Sequence, residues 1–306
     1  MEPTNSASST HRAATTWHWP VRDYSLDHTL GCGQAFRWTR VSDAWEGVVG
    51  TRWVRLREGD GAIVAETAEA QQDWDWLNEA LQLRVDLQAI LATFPDDPAL
   101  AEAVAACGGL RVLRQEPWEC LASFMLSATK QIVQIRQIVA TLCERFGDAV
   151  AVPAGHPPAY AFPRPGQLAE LTEAQLRECK AGFRAPRLLA AARAVAEGRL
   201  DLDTLGQLPL DDTRARLMAL DGVGRKIADC VLLFAGGFDQ VFPIDVWVLR
   251  ALHELYFPRR RPRPSVLRHF SETHFGPYGG HAQQYLFHYL RMRTRGNRSR
   301  TMIPAA

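Results

Sequence analysis

No two cysteines in this chain stand at CxxC spacing, although Cys32, Cys107, Cys120, Cys143, Cys179 and Cys230 are scattered along its 306 residues. That absence argues against a zinc knuckle or an iron–sulfur cluster, and buried reduced thiols are the simpler expectation. No apolar run reaches about 18 residues, so no membrane span is expected. The opening MEPTNSASSTHRAATT has no apolar signal core, and residues 1–15 are expected to form a disordered tail. A cytoplasmic, nucleoid-associated location follows as the expectation for a bacterial source. Carboxylates do not cluster as the ion-holding groups of a metal-dependent nuclease would, so no metal is expected in the chemistry.

What the chain does have is a lopsided charge. Its formal net charge is only +1, yet residues 258–306 carry ten arginines against a single acid, Glu272. Such asymmetry suits contact with a polyanion, although an arginine-rich end can also serve solubility alone.

Residues 17 to about 67 read as an antiparallel sheet. AFRWTR, AWEGVVG, TRWVRLRE and AIVAET are β-rich and separated by Ser-Asp, Gly-Thr and Gly-Asp-Gly turns. From residue 72 the apolar spacing changes to three and four. It predicts helices in WDWLNEALQL, LQAILATF and PALAEAVAAC, then a long apolar helix and an amphipathic one in PWECLASFMLSATKQIVQIRQIVATLCERFG. The proline-rich stretch from Val152 to Gly166 is expected to be a loop. Helices return in QLAEL with EAQLREC, in APRLLAAARAVAEG, in TRARLMAL and in GGHAQQYLFHYLRMRTR. The fold expected is α+β: an N-terminal β-sheet domain with flanking helices over 16–110, and a mainly helical domain with a basic tail over 111–306.

The informative segment is 212–257. A helix is expected to end at Leu220, a tight turn Asp221-Gly222-Val223-Gly224 follows, and a second helix starts near Arg225. Glycines two apart allow a sharp turn that exposes amide N–H groups at a helix N-terminus, a natural seat for a DNA phosphate. An ordinary αα-corner needs glycine as well, so the turn alone decides nothing. Lys226 follows directly, on a helix whose next turns, IADCVLLFA, are mostly apolar. Schiff-base chemistry takes an unprotonated amine, a form that an apolar wall and neighbouring cations favour; a solvated surface lysine is the commoner alternative. Farther on, Asp245 sits in FPIDVW just before the helix VWVLRALHEL. A capping role is the plain reading, but a fixed carboxylate also stabilises the positive charge of a sugar losing its base.

These residues carry a resemblance. The segment is similar to the helix-hairpin-helix, Gly/Pro-rich loop and aspartate signature of the base-excision DNA glycosylase superfamily, and within it resembles the 8-oxoguanine DNA glycosylases. Gly33-Gln34-Ala35-Phe36-Arg37-Trp38 resembles that family's lesion-reading loop. RVLRQEPWECLASFMLSA resembles its entry into the helical body, and residues 276–283 with Phe287 resemble its base-pocket helix. The resemblance implies a bifunctional glycosylase/lyase without cofactor, probing double-stranded DNA for an oxidised base and acting as a monomer. It implies Lys226 as nucleophile and Asp245 as its electrostatic partner. It further implies Cys230 and Phe287 on the two faces of the flipped base, Gln283 at its pairing edge, and the Gly33 carbonyl at N7–H. Cys230, four residues after Lys226, shares its helical face. DNA contacts are implied at Gly222, Val223, Gly224, Arg225, Thr129, Phe183, Arg184 and Trp247.

The chain also departs from the family. Thr129 stands where an asparagine fills the hole left by the base, Gln134 where an arginine reads the opposite cytosine, Phe183 where a tyrosine wedges, and Trp247 where a histidine follows the aspartate. These changes bear on opposite-base selectivity more than on excision. Two alternatives remain: a glycosylase for another damaged purine or alkylated base, and a non-catalytic DNA-binding protein using only the hairpin and the basic tail. The Lys226 and Asp245 combination argues against the second, since phosphate binding needs neither.

Overall fold

The computed structural model describes residues 15–128 and 130–301, with side chains to residue 294. Of the tail expected over 1–15, only Thr15 is among the described residues, and it opens a strand. β1 (Thr15–Pro20), β2 (Thr39–Val41), β3 (Ala44–Val49), β4 (Arg52–Gly59) and β5 (Ala62–Thr67) form one antiparallel sheet in the order β1-β5-β4-β3-β2. Alternation along β5 buries Ile63, Ala65 and Thr67 on one face, as a sheet with one packed face requires. That face, with α1 (Leu26–Gly31) and α2 (Asp75–Leu81), encloses a core of Leu26, Trp45, Val54, Leu56, Ile63 and Leu77.

AFRWTR is not a six-residue strand. Pairing with β3 starts only at Thr39, because the backbone ahead of it is held elsewhere. Gly33 sits at φ +98, and the buried Gln34 amide bonds the carbonyls of Thr29 and Arg111 and the N–H of Leu113. Those bonds fix the loop against the start of the helical body.

The short helices α3 (Leu87–Leu91) and α4 (Pro98–Ala106) lead to α5 (Pro117–Leu126) and α6 (Ile132–Phe146). α5, expected to be long, has 10 residues, eight of them buried around Leu121 and Leu126. The proline-rich stretch is not wholly loop. Ala159–Tyr160 (β7) pairs with Ala149–Val150 (β6) as a two-stranded ribbon, leaving the prolines outside the paired positions. Then come α7 (Pro165–Ala169), α8 (Glu173–Glu178), α9 (Ala185–Ala196), α10 (Leu210–Met218), α11 (Arg225–Phe234), α12 (Val246–Leu255), α13 (Pro264–His274) and α14 (Gly279–Thr301). Neither α1 nor α13 was expected. α1 spans only six residues, too few for its pattern to stand out, and α13 follows the arginine- and proline-rich run after Phe257 and fully buries only Leu267 and Ser271.

The helical body has two cores. One joins α5, α6, α9 and α11 through Leu121, Leu142, Leu188 and Leu232. The other joins α4, α12 and α14 through Leu100, Leu252, Tyr285 and Leu286, and takes in Cys32 from the N-terminal part. The functional cavity lies between these cores.

Candidate active site

The hairpin forms as its glycines demand. α10 and α11 are joined by a turn in which Gly222 adopts φ +83 and a Cβ there would meet Arg187 Cδ at 2.5 Å. Val223 is buried beneath the turn, Gly224 caps α11, and Arg225 opens the helix. A buried ion pair, Arg214 Nε to Asp229 Oδ1 at 2.8 Å, ties the two hairpin helices together. Burial pushes the Asp229 carboxyl up, against Arg214 and Arg225, which hold it charged. Arg225 also pairs with Glu272 at 2.8 Å.

As the second residue of α11, Lys226 points its Nζ over the Phe124 ring at 5.0 Å and donates to Ser127 Oγ at 3.2 Å. Phe124 in turn stacks on Phe234, so the amine rests on a fixed aromatic platform. Neither Ser127 nor Phe124 was singled out from sequence, because both read there as part of an apolar helix. Asp245 caps α12: its Oδ1 accepts from the N–H groups of Trp247 at 2.9 Å and Val248 at 2.8 Å. Its Oδ2 makes no hydrogen bond to another described residue. The cap therefore orients the carboxylate without consuming it.

Both residues line a cavity of about 990 Å³, at the upper end of the roughly 300–1,000 Å³ span of ligand pockets. Gly33, Cys230, Gln283 and Phe287 line it too, as do Gly224 and Trp247. Cys230 lies between Lys226 and Asp245 electrostatically, feeling both, but burial dominates and pushes its thiol up to about 12. It therefore offers a neutral sulfur. Gly33 leaves no room for a side chain: a Cβ would lie 2.3 Å from Ile132 Cδ1 and 3.1 Å from Arg291 Nη1. Arg291 bonds the Cys32 carbonyl and lies 5.0 Å over the Phe287 ring, linking the N-terminal loop to the pocket helix. Gln283 is 5% exposed and its Oε1 has no hydrogen-bond partner among the described residues, an uncommon state for a buried amide.

The remaining predicted residues lie outside the cavity. Phe183 stands 58% exposed on a 3-10 turn, Gly182–Arg184. Arg184 is buried under it, with its guanidinium 4.3 Å from the Phe183 ring, so it braces that exposed ring in the free protein. Gln134 uses its Oε1 to accept from Gln131 N–H at the start of α6. Thr129 lies outside the described residues.

Two family models cover most of the chain. The 8-oxoguanine DNA glycosylase N-terminal domain matches residues 18–121, and the HhH-GPD superfamily base excision DNA repair protein matches residues 122–276. A probable N-glycosylase/DNA lyase of Methanothermobacter thermautotrophicus is 28% identical over 303 residues, covering 89% of this chain and 95% of that one. Among solved structures, MBOgg1 in complex with a low-affinity DNA ligand superposes with a TM-score of 0.85 at 33% identity, covering 90% of this chain and 94% of that chain. The 8-oxoguanine glycosylase/lyase of Clostridium acetobutylicum, bound to DNA with cytosine opposite 8-oxoguanine, gives 0.83 at 31% identity, over 89% and 93%. With an amine and a carboxylate facing one cavity beside a helix-hairpin-helix, the chain belongs to the 8-oxoguanine DNA glycosylase family of the HhH-GPD base-excision repair superfamily and is a bifunctional DNA glycosylase/lyase.

Proposed function

We propose that the protein flips 8-oxoguanine out of duplex DNA into this cavity and removes it with Lys226. The observation that carries the reading is the sharing of one cavity by Lys226, Asp245 and the orphan acceptor of Gln283. Extrusion is required because the glycosidic bond is inaccessible within the stack. The neutral Cys230 thiol and the Phe287 ring face the two sides of the base, and Gln283 Oε1 accepts from its pairing edge. The Gly33 carbonyl accepts from N7–H, a proton that guanine lacks, so undamaged base meets lone pair with lone pair. Asp245 offsets the positive charge that grows on the sugar as the base departs with the bonding electrons. Lys226 Nζ bonds to C1′ and, as the sugar ring opens, becomes an imine; loss of a C2′ proton then expels the 3′ phosphate and nicks the strand. The Gly224 and Arg225 N–H groups at the start of α11 seat a backbone phosphate, while the Val223 N–H stays on the Leu220 carbonyl within the turn, and Phe183 enters the stack where the base has left. One protein molecule serves one lesion, as a monomer. Gln134 is committed to its helix cap, which supports weak discrimination among bases opposite the lesion.

Borohydride reduction of the imine tests the assignment. Lys130, Lys180 and Lys226 are the chain's three lysines, so peptide mapping of the trapped adduct is unambiguous. Trapping at Lys226, abolished in Lys226→Gln, is the expected result; undiminished trapping in that variant overturns the mechanism. Duplexes carrying 8-oxoguanine, uracil or a methylated purine opposite each of the four bases then test the substrate. Cleavage of the 8-oxoguanine set, varying less than about tenfold with the opposite base, is expected.

A further inference from the structure

Behind the base cavity three side chains from distant parts of the sequence converge. His28 comes from α1, Cys107 ends α4, and His288 lies on α14; their ligand atoms all fall within 4.8 Å of one another. His28 Nδ1 and His288 Nε2 are 3.1 Å apart. A tetrahedral zinc ion bound through two nitrogens and a sulfur spaces those atoms by about 3.3–3.6 Å, so the trio is within about 1 Å of one face of such a site. Two imidazoles and a thiol are borderline-soft donors, which suit zinc, cobalt or copper and not magnesium or calcium. Cys107 and His288 are buried while His28 is partly exposed, which leaves an entry path on one side.

We propose that His28, Cys107 and His288 form a binding site for a soft divalent cation of the zinc type. Water completes the shell, because the Cys32 thiol is already engaged with the Thr29 carbonyl at 3.1 Å and the Gln284 amide at 3.0 Å. Binding displaces the Cys107 proton to solvent and replaces the hydrogen bond between the two imidazoles. The cysteine pattern that argues against a metal in the sequence does not reach this site, since 79 and 181 residues separate its members. Its position gives it a structural consequence. Cys107 ties α4, His28 ties the helix that runs into Cys32 and Gly33, and His288 adjoins Phe287. An ion here would clamp the base-reading loop to the pocket helix, while taking no part in the bond-breaking step.

Cobalt(II) titration of tag-free, chelator-treated protein without DNA tests the proposal apart from any activity. The expected result is one equivalent bound, with intense visible bands of tetrahedral cobalt, a thiolate-to-cobalt charge-transfer band, and displacement of both by zinc(II). Cys107→Ser removes the charge-transfer band, and the more exposed His28→Gln weakens binding at least tenfold. Zinc(II) also raises the Tm of the wild type, and not that of His28→Gln. Absence of the charge-transfer band in the wild type overturns the proposal, as does binding undiminished by His28→Gln; should Cys107→Ser fail to fold, His28→Gln decides alone.

Discussion

A single methyl group at Gly33 is enough to separate base recognition from the chemistry. The residue occupies φ +98 and has Ile132 Cδ1 where its Cβ would go, so Gly33→Ala must shift the loop whose carbonyl is proposed to read the base. Excision of 8-oxoguanine is expected to drop at least tenfold in kcat/KM, about 1.4 kcal/mol, while nicking of a preformed abasic site stays within about twofold. Parallel assays on the two duplexes check it, and an equal loss in both would mean that the substitution disturbs Lys226 instead. Phe183 invites a similar separation. It is largely exposed and packs over Arg184, so Phe183→Ala should leave the Tm nearly unchanged and weaken excision from duplex DNA more than lyase action on a single strand.

At the level of elements, α12 joins structure to chemistry through one side chain. Asparagine caps helices about as well as aspartate, and both capping bonds go to Oδ1. Asp245→Asn is therefore expected to keep the stability within a few tenths of a kcal/mol while slowing excision about 10²–10³-fold, the usual range for losing one fixed electrostatic group. Asp245→Ala should lose the cap besides, about 1 kcal/mol; thermal melts beside single-turnover rates tell the two roles apart. α11 and α12 were legible in the sequence because each begins with its own punctuation, GVG in one and Pro-Ile-Asp in the other. α13 was not, since only Leu267 and Ser271 of its residues are buried. The strand expected across Ala35 to Arg40 starts only at Thr39 for a different reason: long-range bonds from Gln34 to Thr29, Arg111 and Leu113 outweigh local β preference. Ser127 and Phe124 escaped notice likewise, because a partner on another helix gives them meaning. The pair proposed to react, Lys226 and Asp245, was thus singled out by its place in the sequence, and its surroundings lay in tertiary contacts.

Across the whole molecule, α14 carries a built-in sensitivity to acid. His281 is buried near Arg114 and Arg111, and burial above all, with those two charges, depresses its folded-state value from 6.5 to about 3. Between those limits the unfolded chain takes up a proton that the folded one refuses, so stability falls as pH falls from about 6.5, by at most about 1.4 kcal/mol per pH unit. His281→Leu should flatten this part of the stability curve, as followed by urea unfolding at pH 6.5, 5.5 and 4.5; an unchanged slope would place the acid sensitivity elsewhere. Two residues along the same helix lies the unpartnered oxygen of Gln283. An enzyme with such an oxygen is least comfortable when vacant, and the liberated purine, still presenting its donors, relieves it as well as the intact nucleotide does. Retention of the free base in the cavity after cleavage, slowing repeated rounds, is the expected outcome. A rapid first burst followed by a slow steady phase, with added 8-oxoguanine base prolonging the slow phase, would be its kinetic trace.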